Sequence, residues 1–143
     1  MWTIKDLFDT INDYMYNKVD GDDFELEQDF EDAIRDLLET ECFNVLPKKN
    51  VENTERMFCE GVNVDNQIPD IAVKCDDGSV LLELKLRRSQ ADYDSDIQKV
   101  ENYVDQEKCD VGGVLFLDNE EQEDWKTCNA NPRYWYYLES YPD

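Results

Sequence analysis

The chain has 143 residues, 41% of them apolar, which suits one domain with a core of two or three layers. Its net charge is −22, from 14 basic and 36 acidic residues, and this weighs against loose, sequence-independent binding of nucleic acid, which rests on Lys and Arg neutralising phosphates. Histidine is absent, which excludes Ser-His-Asp and Cys-His catalysis and most zinc catalysis, so any hydrolytic chemistry must run on carboxylates, lysine, tyrosine and a hard metal.

Ile4, Leu7, Phe8, Ile11, Met15 and Val19 recur at three- and four-residue steps and predict a helix over residues 3–18. Asp20-Gly21-Asp22-Asp23 ends it. A second, stronger helix is expected over 25–41, where Phe30, Ala33, Ile34, Leu37 and Leu38 form one apolar stripe. Phe43-Asn44-Val45-Leu46 reads as a short strand that stops at Pro47. Residues 50–65 fit either a strand or an irregular excursion with Met57 and Phe58 buried.

Two strands, over 67–75 and 80–87, flank the hairpin turn Asp76-Asp77-Gly78-Ser79, and the second is the most apolar and central. Tyr93, Ile97, Val100 and Val104 mark a helix over 93–107. Residues 111–117 read as a buried strand, 118–124 as an acidic loop, and the aromatic run 134–141 as a last strand or an edge helix. The order predicts a single α/β (α+β) domain, a mixed central sheet flanked by helices. Residues 1–22 would be an N-terminal helical extension, 24–118 the core, and 119–143 an acidic loop with an aromatic tail.

The acidity is uneven. Residues 1–41 hold 14 acids and 3 bases, and residues 89–143 hold 14 acids and 4 bases. The stretch 42–88 holds 8 acids and 7 bases, and this near-neutral part carries the chemistry. Side chains alternate faces along a strand. On the strand over 80–87, Glu83 and Lys85 therefore share a face with Leu81 and Arg87, while Val80, Leu82, Leu84 and Leu86 turn to the core. A tight hairpin would lay Asp70 beside Glu83, with Lys85 next to them.

Two carboxylates and a lysine suit metal-dependent phosphodiester hydrolysis. Asp70 and Glu83 would hold Mg²⁺, for which Mn²⁺ substitutes, with the backbone carbonyl of Leu84 as a further ligand. Such an ion activates water and neutralises the scissile phosphate. Lys85 would orient and help deprotonate the water, or stabilise the transition state. A further acid is expected from the helix over 25–41. Glu27 lies three residues before Phe30 and seven before Ile34, on the apolar face, where a carboxylate wants a partner; Glu31 competes for the role.

Ile68-Pro69-Asp70, followed 13 residues on by Glu83-Leu84-Lys85, resembles the signature of the PD-(D/E)XK nuclease superfamily, the restriction-endonuclease-like fold. The segment Glu27-Gln28-Asp29-Phe30-Glu31-Asp32-Ala33 is similar to the helix that carries an upstream glutamate in such domains. Asp96-Ile97-Gln98-Lys99-Val100 through Tyr103 resembles their crossover-helix motif, with Asp96, Lys99 and Tyr103 on one stripe. Gln98 and Tyr103 stand five residues apart, not the four of the RecB-like exonuclease branch. The resemblance covers roughly residues 24–118 and implies an αβββαβ core and Mg²⁺-dependent cleavage. The expected catalytic set is thus Glu27, Asp70, Glu83 and Lys85, with Arg87, Arg88, Lys99 and Tyr103 as substrate contacts.

Two functions follow. The first is a nuclease acting on DNA, or secondarily RNA, in defence, mobile-element or repair biology. The second is a non-catalytic inhibitor or interaction protein on the same fold, whose acidic surface mimics nucleic acid and binds a basic protein. A positive strip around Lys48, Lys49, Lys74, Arg87 and Arg88 would favour cleavage, and a homodimer would join two such strips into one groove. The five cysteines, Cys42, Cys59, Cys75, Cys109 and Cys128, lack C-x-x-C spacing and read as reduced, buried thiols. No apolar run reaches membrane-spanning length, so no membrane partner is expected. Residues 1–6 lack a basic stretch followed by an apolar one, which makes the cytoplasm the expected compartment.

Overall fold

The structure, a computed structural model, describes residues 2–19, 24–46, 69–86, 90–105, 109–117 and 134–139. The expected break at 20–23, the stretch 50–65 with Met57 and Phe58, and the acidic loop 118–124 lie outside the described residues, as do Ile68, Lys48, Lys49, Arg87 and Arg88. In chain order the elements are α1 (Ile4–Asn17), α2 (Glu27–Thr40), β1 (Asn44–Val45), β2 (Ile71–Cys75), β3 (Gly78–Leu86), α3 (Gln90–Asp105), β4 (Val111–Leu117) and β5 (Tyr134–Glu139).

The strands form one five-stranded mixed sheet in sequential order, β1-β2-β3-β4-β5. Only β3 and β4 run parallel, and α3 is the crossover between them. The other neighbours are antiparallel. The fold is α+β, with helices flanking a sheet. The aromatic run, for which strand and helix were both open, pairs as a strand with β4. β2 starts at Ile71: Pro69 lacks an N–H to donate, and the Asp70 N–H bonds the Leu82 carbonyl one residue out of step with the ladder, while residues 67–68 of the expected strand lie outside the described residues.

Two apolar layers hold the sheet. On one face Leu7, Phe8, Ile11 and Met15 of α1 and Phe30, Ile34 and Leu38 of α2 pack on Val73, Val80, Leu82, Leu84 and Leu115. On the other, Val100 and Tyr103 of α3 pack on Ala72, Leu81, Val114 and Phe116. Each large aliphatic side chain so buried contributes roughly 1.5–3 kcal/mol. β4 is buried along its whole length, as a central strand covered on both faces must be. Thr3 caps α1, its hydroxyl accepting from the Asp6 N–H while Asp6 accepts from the Thr3 N–H.

Two glycines matter for placement. Gly78, at φ 154°, closes the turn of Asp76 and Asp77, and a Cβ there would lie 2.7 Å from Asp110 Oδ2. Gly112 lets α3 approach β4: a Cβ would meet Val100 Cβ at 2.9 Å and the Val100 carbonyl oxygen at 3.0 Å. Helix backbone cannot swing aside as a side-chain tip can. Gly112→Ala is therefore expected to destabilise the fold by about 1–3 kcal/mol through overpacking. Gly113→Ala should cost less, because its nearest obstacles are the tips of Leu82 and Leu138. Urea midpoints of the two variants check the order; equal midpoints would refute it.

Candidate active site

The hairpin sets the site. Ala72 pairs with Leu81 and Ile71 with Leu82, where the ladder ends; the Asp70 N–H then bonds the Leu82 carbonyl, which keeps Asp70 beside this part of β3, near enough for its charge to act on Glu83. Asp70 Oδ2 accepts a 2.8 Å hydrogen bond from the Leu84 N–H, just beyond the end of the β2 ladder. A strand residue sends its N–H and C=O out on the same edge, so the Leu84 carbonyl belongs to the side where Asp70 stands. Asp70 is anchored in turn by Arg35 of α2, which donates to the carbonyls of Asp70 at 2.9 Å and Leu46 at 2.6 Å.

Glu83 is 4% exposed, and its Oε1 accepts a 2.8 Å hydrogen bond from the Tyr103 hydroxyl. Burial first, and then the charge of Asp70, hold its carboxyl well above the ordinary value of 4.5; Tyr103 and Lys99 oppose the rise. The unfolded chain loses this proton near the ordinary value, and the folded chain keeps it to higher pH. Glu83 thus favours the fold fully below its unfolded value and ever less as pH rises towards its folded one. Glu83→Gln removes that dependence. Measured in chelator, its melting temperature should exceed the wild type's at about pH 8 and approach it at about pH 5. A gap that widens as pH falls would contradict this.

Lys85, two residues on, stands between two helices. Its Nζ lies 3.8 Å from Glu27 Oε1 of α2 and 3.5 Å from Asp96 Oδ2 of α3. Desolvation works against its charge, but Asp96, Glu27, Glu83 and Asp70 together hold the ammonium above its ordinary pKa. Of the two roles considered for Lys85, these surroundings suit the cation better than the proton acceptor. Glu27, rather than Glu31, reaches this cluster; Glu31 is buried and lies 3.9 Å from Arg35.

Three expectations change. Tyr103 is fully buried with its hydroxyl on Glu83, so it orients a carboxylate and is no substrate contact. Lys74 is exposed, but it sits near the far end of β2 from Asp70, so it does not join a positive strip at the site. Cys42 is exposed and Cys75 half-buried, and only Cys109 of the described cysteines is a buried thiol. Lys99 stays at the site as a partly exposed cation, 3.4 Å from Asp96 Oδ1. Arg35 and Asp96 carry roles that were not foreseen. For Asp96 a signal existed, a carboxylate on the same helical stripe as Val100 and Tyr103.

Among the described residues no three Asp, Glu, Cys or His side chains stand close enough to cage a metal ion. The donors on offer are the carboxyl groups of Asp70 and Glu83 and the backbone carbonyl of Leu84, which lies within β3 beyond the end of its pairing with β2. All are hard oxygens, and few protein ligands with room for water suit Mg²⁺. No helix among the described residues is long and apolar enough to cross a membrane. Comparison with family models, with curated proteins and with solved structures gives no match to this chain.

Proposed function

We propose that this chain is a small Mg²⁺-dependent nuclease of the PD-(D/E)XK type that hydrolyses phosphodiester bonds, with DNA preferred to RNA. Its support is the approach of Asp70, just before β2, to Glu83 of β3, with Lys85 two residues on and Glu27 arriving from α2. Asp70, Glu83 and the Leu84 carbonyl would hold the ion. When bound, it supplies charge neutralisation at the phosphate and acidifies water. Asp70 also accepts from the Leu84 N–H of β3, and Tyr103 fixes the orientation of Glu83. Lys85 brings a positive charge to the phosphate as its negative charge grows in the transition state. Lys99 offers a second cation beside it.

The test is incubation of the pure protein with plasmid, single-stranded DNA and RNA, in Mg²⁺, in Mn²⁺ and in chelator. Metal-dependent cleavage of any of these is the expected result, and cleavage of none overturns the proposal. One observation favours the second reading, an acidic decoy for a basic protein. Asp9, Asp13, Glu25, Asp29, Asp32, Asp36, Glu39 and Glu41 are all exposed on or beside α1 and α2, with few bases among them. That helical layer covers the sheet face opposite α3, and the start of α2 brings its acidity to the site, where Glu27 lies 3.8 Å from Lys85.

A further inference from the structure

α3 and β3 meet in opposite directions. Glu83 meets Tyr103, late in the helix, while Lys85 meets Asp96, early in it. Asp96 and Tyr103 are seven residues apart, two helical turns, so both project from one stripe towards β3. Each group of the Glu-Leu-Lys triplet that faces α3 thus has its own helical partner.

Asp96 is the more unusual partner. It is 1% exposed, and a carboxylate is rarely buried so far unless paired. Its two oxygens point to two different cations: Oδ1 lies 3.4 Å from Lys99 and Oδ2 lies 3.5 Å from Lys85. The side chains of Lys85 and Lys99 are 20% and 28% exposed, so both remain open to a ligand. Oδ2 is buried and makes no hydrogen bond of ordinary geometry among the described residues. The two contacts are long for direct hydrogen bonds, which leaves both ammonium groups with donors to offer elsewhere. A buried carboxylate is costly to keep for stability alone, since a well-packed apolar residue often serves as well.

We propose that Asp96 is a positioning residue of this site, holding Lys85 and Lys99 side by side so that a pair of fixed cations faces consecutive phosphates of the substrate chain. This rests on the nuclease reading given above. The substrate class it implies is a polynucleotide strand with at least two phosphates in the site, rather than a phosphomonoester or a mononucleotide.

The test uses the full chain as wild type, Asp96→Asn, Asp96→Glu, Lys85→Ala and the double variant Lys85→Ala with Asp96→Asn. Lysine amines are ¹³C-dimethylated, which keeps their charge, and the Lys85 signal is assigned by its loss in Lys85→Ala. In Asp96→Asn this signal is expected to move to the position of exposed lysines. On plasmid with Mg²⁺, the same variant should lose up to about a hundredfold in kcat, the scale of a misplaced reacting group. Its Mg²⁺-induced rise in melting temperature should be unchanged. Asp96→Glu, which keeps the charge on a longer arm, should recover part of the rate. In the Lys85→Ala background, Asp96→Asn should cost much less than it does alone.

An unmoved Lys85 signal, a wild-type rate in Asp96→Asn, or equal losses with and without Lys85 would each overturn the proposal. Should Asp96→Asn fail to fold, Asp96→Glu carries the same test through its Lys85 signal and its kcat. A wild type that cuts nothing defeats the nuclease reading, whereas the Lys85 signal still decides whether Asp96 holds that lysine.

Discussion

Asp70→Asn is expected to lower Mg²⁺-dependent cleavage by about a thousandfold or more, the scale of losing several kcal/mol of metal-derived transition-state stabilisation. The fold should not suffer. Asn keeps an oxygen that can accept from the Leu84 N–H, the contact that Asp70 makes at 2.8 Å. The substitution also removes the negative charge that, after burial, raises the Glu83 carboxyl, and so relieves the repulsion between the two groups. The melting temperature without metal should therefore stay level or rise. Mg²⁺ should raise the wild type's melting temperature, by mass action on the native state, and raise that of the variant far less. Asp70→Ala is the blunter change, because it also leaves the Leu84 N–H without its acceptor, at a cost of about 1–3 kcal/mol if water cannot replace it. Cleavage by Asp70→Asn at the wild-type rate would remove Asp70 from the site.

Lys85→Ala should give the opposite pattern. Its rate should fall about a hundredfold, in the range seen when one preorganised charge-stabilising group is lost. Its Mg²⁺-induced stabilisation should survive, since an ammonium is no ligand. Its melting temperature without metal should fall, because Asp96 stays buried with one of its two cations gone. Melting curves with and without Mg²⁺, read beside cleavage rates, separate the two variants on two axes. A Lys85→Ala protein that loses its response to Mg²⁺ would mean that the lysine supports metal binding as well.

The groups that strand alternation places were legible in the sequence. Glu83 and Lys85 share a face because they are two apart, and Asp70 joins them because a short turn fixes the register. Glu27 was legible for a related reason, being a carboxylate on the apolar stripe of α2. The partners were harder. Arg35 lies between Ile34 and Asp36 with nothing local to show that its guanidinium would reach two carbonyls, one of them 35 residues away. Tyr103 reads from the sequence as part of a solvated face or as a substrate contact, and only the approach of α3, which Gly112 permits, decides that it is buried against Glu83. The helix expected over 93–107 corresponds to α3, which begins earlier, at Gln90, and its buried stripe centres on Asp96, Val100 and Tyr103, with Ile97 and Val104 at the margins. A polar residue at the centre of a stripe misleads any reading that counts apolar residues alone.

The β2–β3 hairpin also sets which changes in length the chain can tolerate over evolution. From Ile71 to Cys75 and from Gly78 to Leu82 every residue is a rung, and adding or losing one turns the carboxylate that follows it to the opposite face of the sheet. Adding residues between Asp76 and Asp77 lengthens a loop and leaves the rungs in register. Descendants of this sequence should therefore vary in the number of residues at the tip of the hairpin while keeping both counts fixed along its arms. The total distance from aspartate to glutamate is the wrong ruler for recognising them; the two arm lengths, taken separately, are the quantities under selection.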